Sequence, residues 1–225
     1  METNEDRLKA YIPMVDFIAG IMGPDCEVVL HDTANLENSI MAIRNNRISG
    51  RQVGGPLTDL GLKILKEGTY EKEDYLLNYP SKTRDGKPLR SSTFFIKDSD
   101  GRLLGMLCIN IDLTAAFSAK NFIESYITGT RTEASGMDLP APDPRPHHSP
   151  EHFSSSIEEL VNTIIEKTIN GLNLPPERLS PEEKMDIVRQ LNEKGVFLLK
   201  GAVSEVAKHL RVSENTIYRY LSRKD

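Results

Sequence analysis

Ala202-Val203-Ser204-Glu205-Val206-Ala207-Lys208-His209-Leu210-Arg211-Val212-Ser213-Glu214-Asn215-Thr216-Ile217-Tyr218-Arg219-Tyr220-Leu221 is the most informative run of the chain. Two short helices that cross steeply need a small residue where their backbones approach and apolar residues that wedge them together. Ala207 supplies the small contact, and Val206, Leu210, Val212, Ile217 and Tyr220 or Leu221 fall at spacings that face such a wedge. Ser213 suits the N-cap of the second helix. The pattern predicts a helix-turn-helix over residues 202–224. Ser213, Glu214, Asn215, Thr216, Tyr218 and Arg219 then lie toward a major groove, and Arg223 and Lys224 add phosphate contacts at the helix end. At one position the run departs from the usual pattern: the turn residue, often Gly, is Arg211, and a left-handed non-glycine residue costs roughly 1 kcal/mol. An αα-hairpin that packs inside a larger fold, or that binds protein, is the competing reading.

Working outward, the charge divides unevenly. Residues 197–225 hold six Lys or Arg against three acids, a net +3, whereas the whole chain carries -5, which leaves -8 for the rest. An acidic body with a small basic segment fits a protein of which one part touches phosphate. Upstream, Ser180-Pro181-Glu182-Glu183 opens a helix that runs to Asn192 and stops at Gly195, and residues 157–171 form another behind the caps Ser154 to Ser156. Before these, Pro140, Pro142, Pro144, Pro146 and Pro150 punctuate a stretch with no apolar periodicity. Pro restricts the residue before it to extended geometry, so residues 129–155 are expected to form a flexible linker. With 225 residues the chain accommodates two modest domains, placed at residues 1–128 and 156–225.

The N-terminal part alternates helix and strand patterns. One helix is expected from Leu8 to Met22, ended by Gly23-Pro24. Strands follow at residues 26–30 and 39–44, a short helix at 60–67 capped by Thr58-Asp59, then strands at 75–79, 92–97 and 103–111. Asp98-Ser99-Asp100-Gly101 is a hairpin turn with Gly101 free to take positive φ, so the sheet is antiparallel there. A last helix spans residues 113–127, with Phe117, Phe122, Ile123 and Tyr126 on its apolar side.

This order resembles the plan of a PAS-type sensory domain. His31-Asp32, Gly54-Gly55-Pro56-Leu57-Thr58-Asp59, Ser91-Ser92-Thr93-Phe94-Phe95-Ile96-Lys97-Asp98 and Gly105-Met106-Leu107-Cys108-Ile109-Asn110-Ile111-Asp112-Leu113 look like the YheO-like PAS domain of the DauR family, and the C-terminal run resembles the helix-turn-helix that accompanies it. The fold class is α+β: an N-terminal PAS-like antiparallel sheet with flanking helices, a Pro-rich linker, and a C-terminal all-α helix-turn-helix domain. The resemblance implies a cytoplasmic transcriptional regulator, in which the sensory domain passes signals through its exit helix to paired DNA-binding units. Helix-turn-helix proteins read half-sites one duplex turn apart, so a homodimer on double-stranded DNA is implied.

The expected pocket takes hydroxyls from Ser91, Ser92 and Thr93, an amide and a carboxylate from Asn110 and Asp112, and aromatic walls from Tyr75 and Tyr79. Such groups suit a small polar metabolite such as an amino acid; the alternative is that they alternate to the solvent face of a half-buried strand. His31-Asp32 either orients a ligand or closes a turn. No cofactor or metal is expected. Cys26 and Cys108 are too few and too far apart for a zinc set or a disulfide framework, and His147, His148 and His152 sit in the linker without a scaffold. Asp85-Gly86-Lys87 lacks the glycines of a phosphate loop. No nucleophile and base pair stands out, so no enzyme is expected. The acidic N-terminus and the absence of a ~20-residue apolar run weigh against secretion and membrane insertion.

Overall fold

The computed structural model describes residues 3–129, 151–153, 157–170 and 179–222. Its centre is β1 (Cys26–Asp32), buried along almost its whole length, as expected of a strand covered on both faces. β1 pairs antiparallel with β2 (Ile40–Arg44) on one side and β5 (Leu103–Asp112) on the other. β4 (Pro88–Lys97) and β3 (Tyr75–Lys82) continue the sheet, and β6 (Glu151–His152) adds to its edge, giving the order β2-β1-β5-β4-β3-β6. The expected hairpin is present: Gly101 takes φ 79°, and Asp98 N–H donates to the Arg102 carbonyl at 2.9 Å. Strands β3 and β4 run longer than the sequence suggests. Pro80 and Pro88 lie inside them because β3 is nearly an edge strand and Pro88 opens β4, where a missing N–H is tolerated.

The Gly54-Gly55-Pro56-Leu57-Thr58-Asp59 run joins this sheet to its inner helix. Gly54 N–H donates to the Ile40 carbonyl at 2.8 Å and Ile40 N–H to the Gly55 carbonyl at 3.1 Å, which needs the φ of 81° that Gly54 adopts. Thr58 then caps α3 (Asp59–Glu67) by accepting from Gly61 N–H, and Gly68 ends it in the left-handed region. Leu57, Leu60 and Ile64 pack with Tyr79, Phe95 and Met106 on the inner face of the sheet. A short α4 (Thr69–Lys72) follows.

The outer face is covered by two helices where one was expected, α1 (Asn4–Lys9) and α2 (Ile12–Met22). Pro13 has no N–H to continue α1, but it is well placed in the first turn of a new helix. Leu8, Val15 and Ala19 pack on Val28, Leu30, Ile96 and Leu107. The exit helix α5 (Thr114–Thr128) buries no residue; of its expected apolar side only Phe117 is half-buried, and Phe122, Ile123 and Tyr126 are exposed.

The C-terminal helices α6 (Ile157–Asn170), α7 (Pro181–Glu193), α8 (Ala202–Leu210) and α9 (Glu214–Ser222) share one core with α3. The expected start at Ser180 is a full capping box with Glu183. Approach to α3 is close: a Cβ on Gly195 would stand 2.8 Å from the Leu62 carbonyl oxygen. Lys66 Nζ donates to Asn192 Oδ1 at 3.2 Å, and Lys200 N–H to Glu37 Oε1 at 3.0 Å. Residues 151 and 152, within the expected linker, pair in parallel with the edge of β3, and Phe153 is buried with Ile48 and Leu89 beneath the Arg51 guanidinium at 5.3 Å. The Pro-rich centre of the expected linker, with His147 and His148, lies outside the described residues.

Candidate functional site

The C-terminal helices build one exposed polar face. At the end of α8, Val212 N–H donates to the Ala207 carbonyl at 3.0 Å and Arg211 N–H to the Lys208 carbonyl at 3.2 Å. These two bonds are a Schellman closure, which requires a left-handed residue between them, and Arg211 takes φ 51°, ψ 52°. The position usually given to Gly is thus strained by roughly 1 kcal/mol, which the packing of Val206, Ala207, Leu210 and Ile217, all buried, outweighs. Ser213 Oγ accepts from Thr216 N–H at 3.2 Å, the expected N-cap of α9. Glu214, Asn215, Tyr218 and Arg219 are exposed and Thr216 is half-buried. Spacings of one, four and five residues keep the exposed four on one side of α9, opposite the buried Ile217. Arg219 extends over the Tyr220 ring at 5.8 Å. Arg223 and Lys224 lie outside the described residues.

Between the sheet and α3 lies a second polar region, ordered in rows by the strand register. Glu27 of β1, Asn110 of β5, Ser91 of β4 and Ser81 of β3 form one row, each at most 1% exposed. Ser81 and Ser91 hydroxyls are bonded to each other, Ser91 donates to Asn110 Oδ1 at 2.7 Å, and Asn110 Nδ2 donates to Glu27 Oε1 at 3.0 Å. Ser49 satisfies Glu27 Oε2 with both its hydroxyl and its N–H. Burial pushes the Glu27 carboxyl up, while these bonds and the nearby Arg51 charge pull it down. The neighbouring row joins Cys108 Sγ, Thr93 Oγ1 and Tyr79 OH at 3.3 and 2.8 Å. Beside it a cavity of about 10 Å³, room for about one water, is lined by His31, Thr58, Tyr79, Thr93 and Cys108 with apolar Leu57, Leu60, Ile64 and Met106.

Compared with known families, residues 1–128 match the model of the YheO-like PAS domain, more than half of the chain. The chain belongs to the YheO-like PAS domain family. Residues 160–222 match the model of an HTH domain. The protein YheO of Escherichia coli is 33% identical over 98% of this chain and 85% of its own length. A protein of Haemophilus influenzae is 32% identical over 97% and 92%, and the transcriptional regulator DauR of Pseudomonas aeruginosa is 28% identical over 97% and 95%.

Within the YheO-like domain, the seven residues expected to line a pocket are not brought together. Tyr79 and Thr93 line the cavity. Ser91 and Asn110 face the same side but are committed to the buried row. Tyr75 is exposed, Ser92 accepts from Asn78 N–H at 3.0 Å, and Asp112 Oδ1 accepts from Thr114 N–H at 2.8 Å at the start of α5. His31 is a strand residue that lines the cavity, and Asp32, the last residue of β1, accepts from Ala34 N–H through Oδ1 at 2.8 Å in the turn that follows. Thr58, Cys108, Glu27, Ser49 and Arg51 were not expected at the site. Among the described residues no group of three His, Cys, Asp or Glu side chains could hold a metal, and no helix is long and apolar enough to cross a membrane.

His31 Nδ1 is hydrogen-bonded to Ser39 Oγ at 2.8 Å, and Ser39 Oγ also lies 3.4 Å from the Gly55 carbonyl oxygen. Burial, with the Arg51 charge, holds the imidazole well below its ordinary value of 6.5. A folded pKa below the unfolded one gives stability that is complete above the ordinary value and lost as pH falls toward the folded one. Wild type is therefore expected to lose roughly 1 to 2 kcal/mol more than His31→Asn between about pH 8 and about pH 5, since each pH unit contributes up to about 1.4 kcal/mol. The Asn amide, with both a donor and an acceptor, can keep a hydrogen bond to Ser39. Urea unfolding at the two pH values reads the difference, and equal losses in both proteins would count against a neutral buried His31.

Proposed function

We propose that this chain is a cytoplasmic DNA-binding transcriptional regulator, acting as a homodimer, whose YheO-like domain senses a small polar metabolite and controls a helix-turn-helix that reads the major groove. The observation that carries the reading is the exposed face of α9, with Asn215, Tyr218 and Arg219 projecting from a closed helix-turn-helix. The relative DauR, named as a transcriptional regulator and matched nearly end to end, supports it, as does the HTH domain matched at residues 160–222. The sensory part is placed at residues 1–128 and the DNA-binding part at 156–225, joined through 129–155. DNA contacts fall to Ser213, Glu214, Asn215, Thr216, Tyr218, Arg219, Arg223 and Lys224.

Sensing is best placed at the cavity. Its size means that a metabolite enters only if a wall moves, and we take that wall to be α3, which turns Leu60 and Ile64 to the cavity while its Leu62 carbonyl lies close to Gly195, which follows α7. A ligand that displaced α3 would shift the DNA-binding part directly. Among the described residues α3 packs on α7, which gives the signal a route beside the exit helix.

Binding of the full chain to fragments of its own genomic neighbourhood, by gel shift at two salt concentrations beside a chain truncated at Pro150, tests the proposal. Specific binding is expected, lost on truncation. For about four phosphate contacts in a dimer, affinity should fall on the order of 100-fold between roughly 50 and 200 mM salt. Binding that is neither specific nor salt-sensitive would leave the competing reading, a protein-binding hairpin.

A further inference from the structure

The helix α5 is exposed in a patterned way. Phe117, Asn121 and Ser125, four residues apart, are half-buried and lean on the domain. On the opposite side Ala116, Ala119, Ile123 and Tyr126 follow at spacings of three, four and three, flanked by Phe122 and Ile127. All six are exposed, Tyr126 by 83% and Ile127 by 76%. Alternating spacings of three and four are the seam that one helix offers another. Such a face suits a partner helix.

The seam has a small half and a large half. Laid parallel against a copy of itself, it would set Ala against Ala, leaving a void, and Tyr against Tyr. Laid antiparallel, it sets Ala116 against Tyr126 and Ala119 against Ile123, so that bulk meets space at both levels. Both pairs are centred on the same residue, Asn121, so a single two-fold axis satisfies both, as a closed isologous dimer requires. The only charged side chains of the helix, Lys120 and Glu124, neutralise each other at 3.5 Å, so two copies meet without net repulsion.

We propose that α5 is the dimer interface of this protein: two copies pair their α5 helices antiparallel, Ala119 of each against Ile123 of the other, about an axis at the level of Asn121. The inference rests on the regulator reading for the expectation of two copies, and it gives α5 a role that its contacts among the described residues leave open.

Light scattering and sedimentation on the full chain test it. Wild type is expected to be a dimer, and Ile123→Glu or Tyr126→Glu to weaken it about 100-fold, because each buries an unpaired charge twice. Ile123→Leu should keep the dimer, and Phe17→Glu, on the exposed face of α2, should leave it intact. Thermal unfolding confirms that these exposed substitutions spare the fold. Mixed Ala119→Cys and Ile123→Cys chains should cross-link on oxidation to a dimer that neither forms alone. A wild type that stays monomeric at all concentrations, a dimer broken by Phe17→Glu and not by Ile123→Glu, or self-cross-linking of Ala119→Cys alone would each overturn the proposal. Gel shifts on the same proteins separate the two failures: a dimer of this geometry that binds no DNA sinks the regulator reading alone, and a DNA-binding monomer sinks the interface alone.

Discussion

Gly105→Ala is expected to destabilise the YheO-like domain by roughly 3 kcal/mol, at the upper end of what overpacking a core costs. Gly105 sits in β5 opposite Asp32, where β1 and β5 run side by side in the middle of the sheet. A Cβ there would stand 2.4 Å from the His31 carbonyl oxygen and 2.7 Å from a Leu8 methyl. Backbone cannot give way without breaking the ladder on both sides, and Leu8 is itself completely buried. Gly101 in the adjoining turn is the contrast: its φ of 79° makes alanine strained by about 1 kcal/mol, but a Cβ there would meet nothing within 4 Å. Urea unfolding of both variants should therefore rank Gly105→Ala well below Gly101→Ala. The reverse order would mean that turn strain, and not close approach at the sheet centre, limits stability.

What could be read from the sequence was local. The cap at Ser180, the turn at Gly101 and the cap at Ser213 are fixed by residues within four positions of one another, and each appears where its chemistry placed it. The wedge of α8 and α9 is also a short-range pattern. The pocket was harder because its geometry depends on register. Ser91, Ser92 and Thr93 are consecutive, so a pleated strand sends the middle one to the other face. Tyr75 and Tyr79 would share a face in a regular strand, but the irregularity between Leu76 and Tyr79, with Asn78 at φ 55°, shifts the register by one. Tyr75 consequently faces Phe94 in the exposed layer and Tyr79 is buried opposite Ser91.

Glu27 shows the same limit more sharply. In Cys26-Glu27-Val28-Val29-Leu30 an acid within an apolar strand reads as a solvent-facing position, and its partner Asn110 lies 83 residues away. Only the pairing of β1 with β5 brings them together, and only the loop carrying Ser49 completes the carboxylate's bonds. Docking of α7 on α3 likewise joins Lys66 to Asn192 across 126 residues. No periodicity within either segment encodes that contact.

Asn215→Ala and Arg219→Ala, tested in the full chain on its own operator at fixed salt, are each expected to weaken specific binding by about 10- to 100-fold, the 1 to 3 kcal/mol of a good base contact. Both side chains are exposed, so unfolding free energy should move by no more than about 0.5 kcal/mol. That separates them from Ile217→Ala, which would also abolish binding, but by emptying the buried wedge at roughly 2 to 5 kcal/mol of stability. The kind of loss matters as much as its size. An amide reading a base edge discriminates between sequences, so Asn215→Ala should narrow the gap between operator and random duplex. Arg223→Ala and Lys224→Ala, acting on phosphate, should instead weaken both alike and lower the salt slope by about one each. Should the full chain bind its operator while Asn215→Ala and Arg219→Ala bind as wild type does, α9 does not read the groove with this face, and the orientation assigned to the helix-turn-helix is wrong.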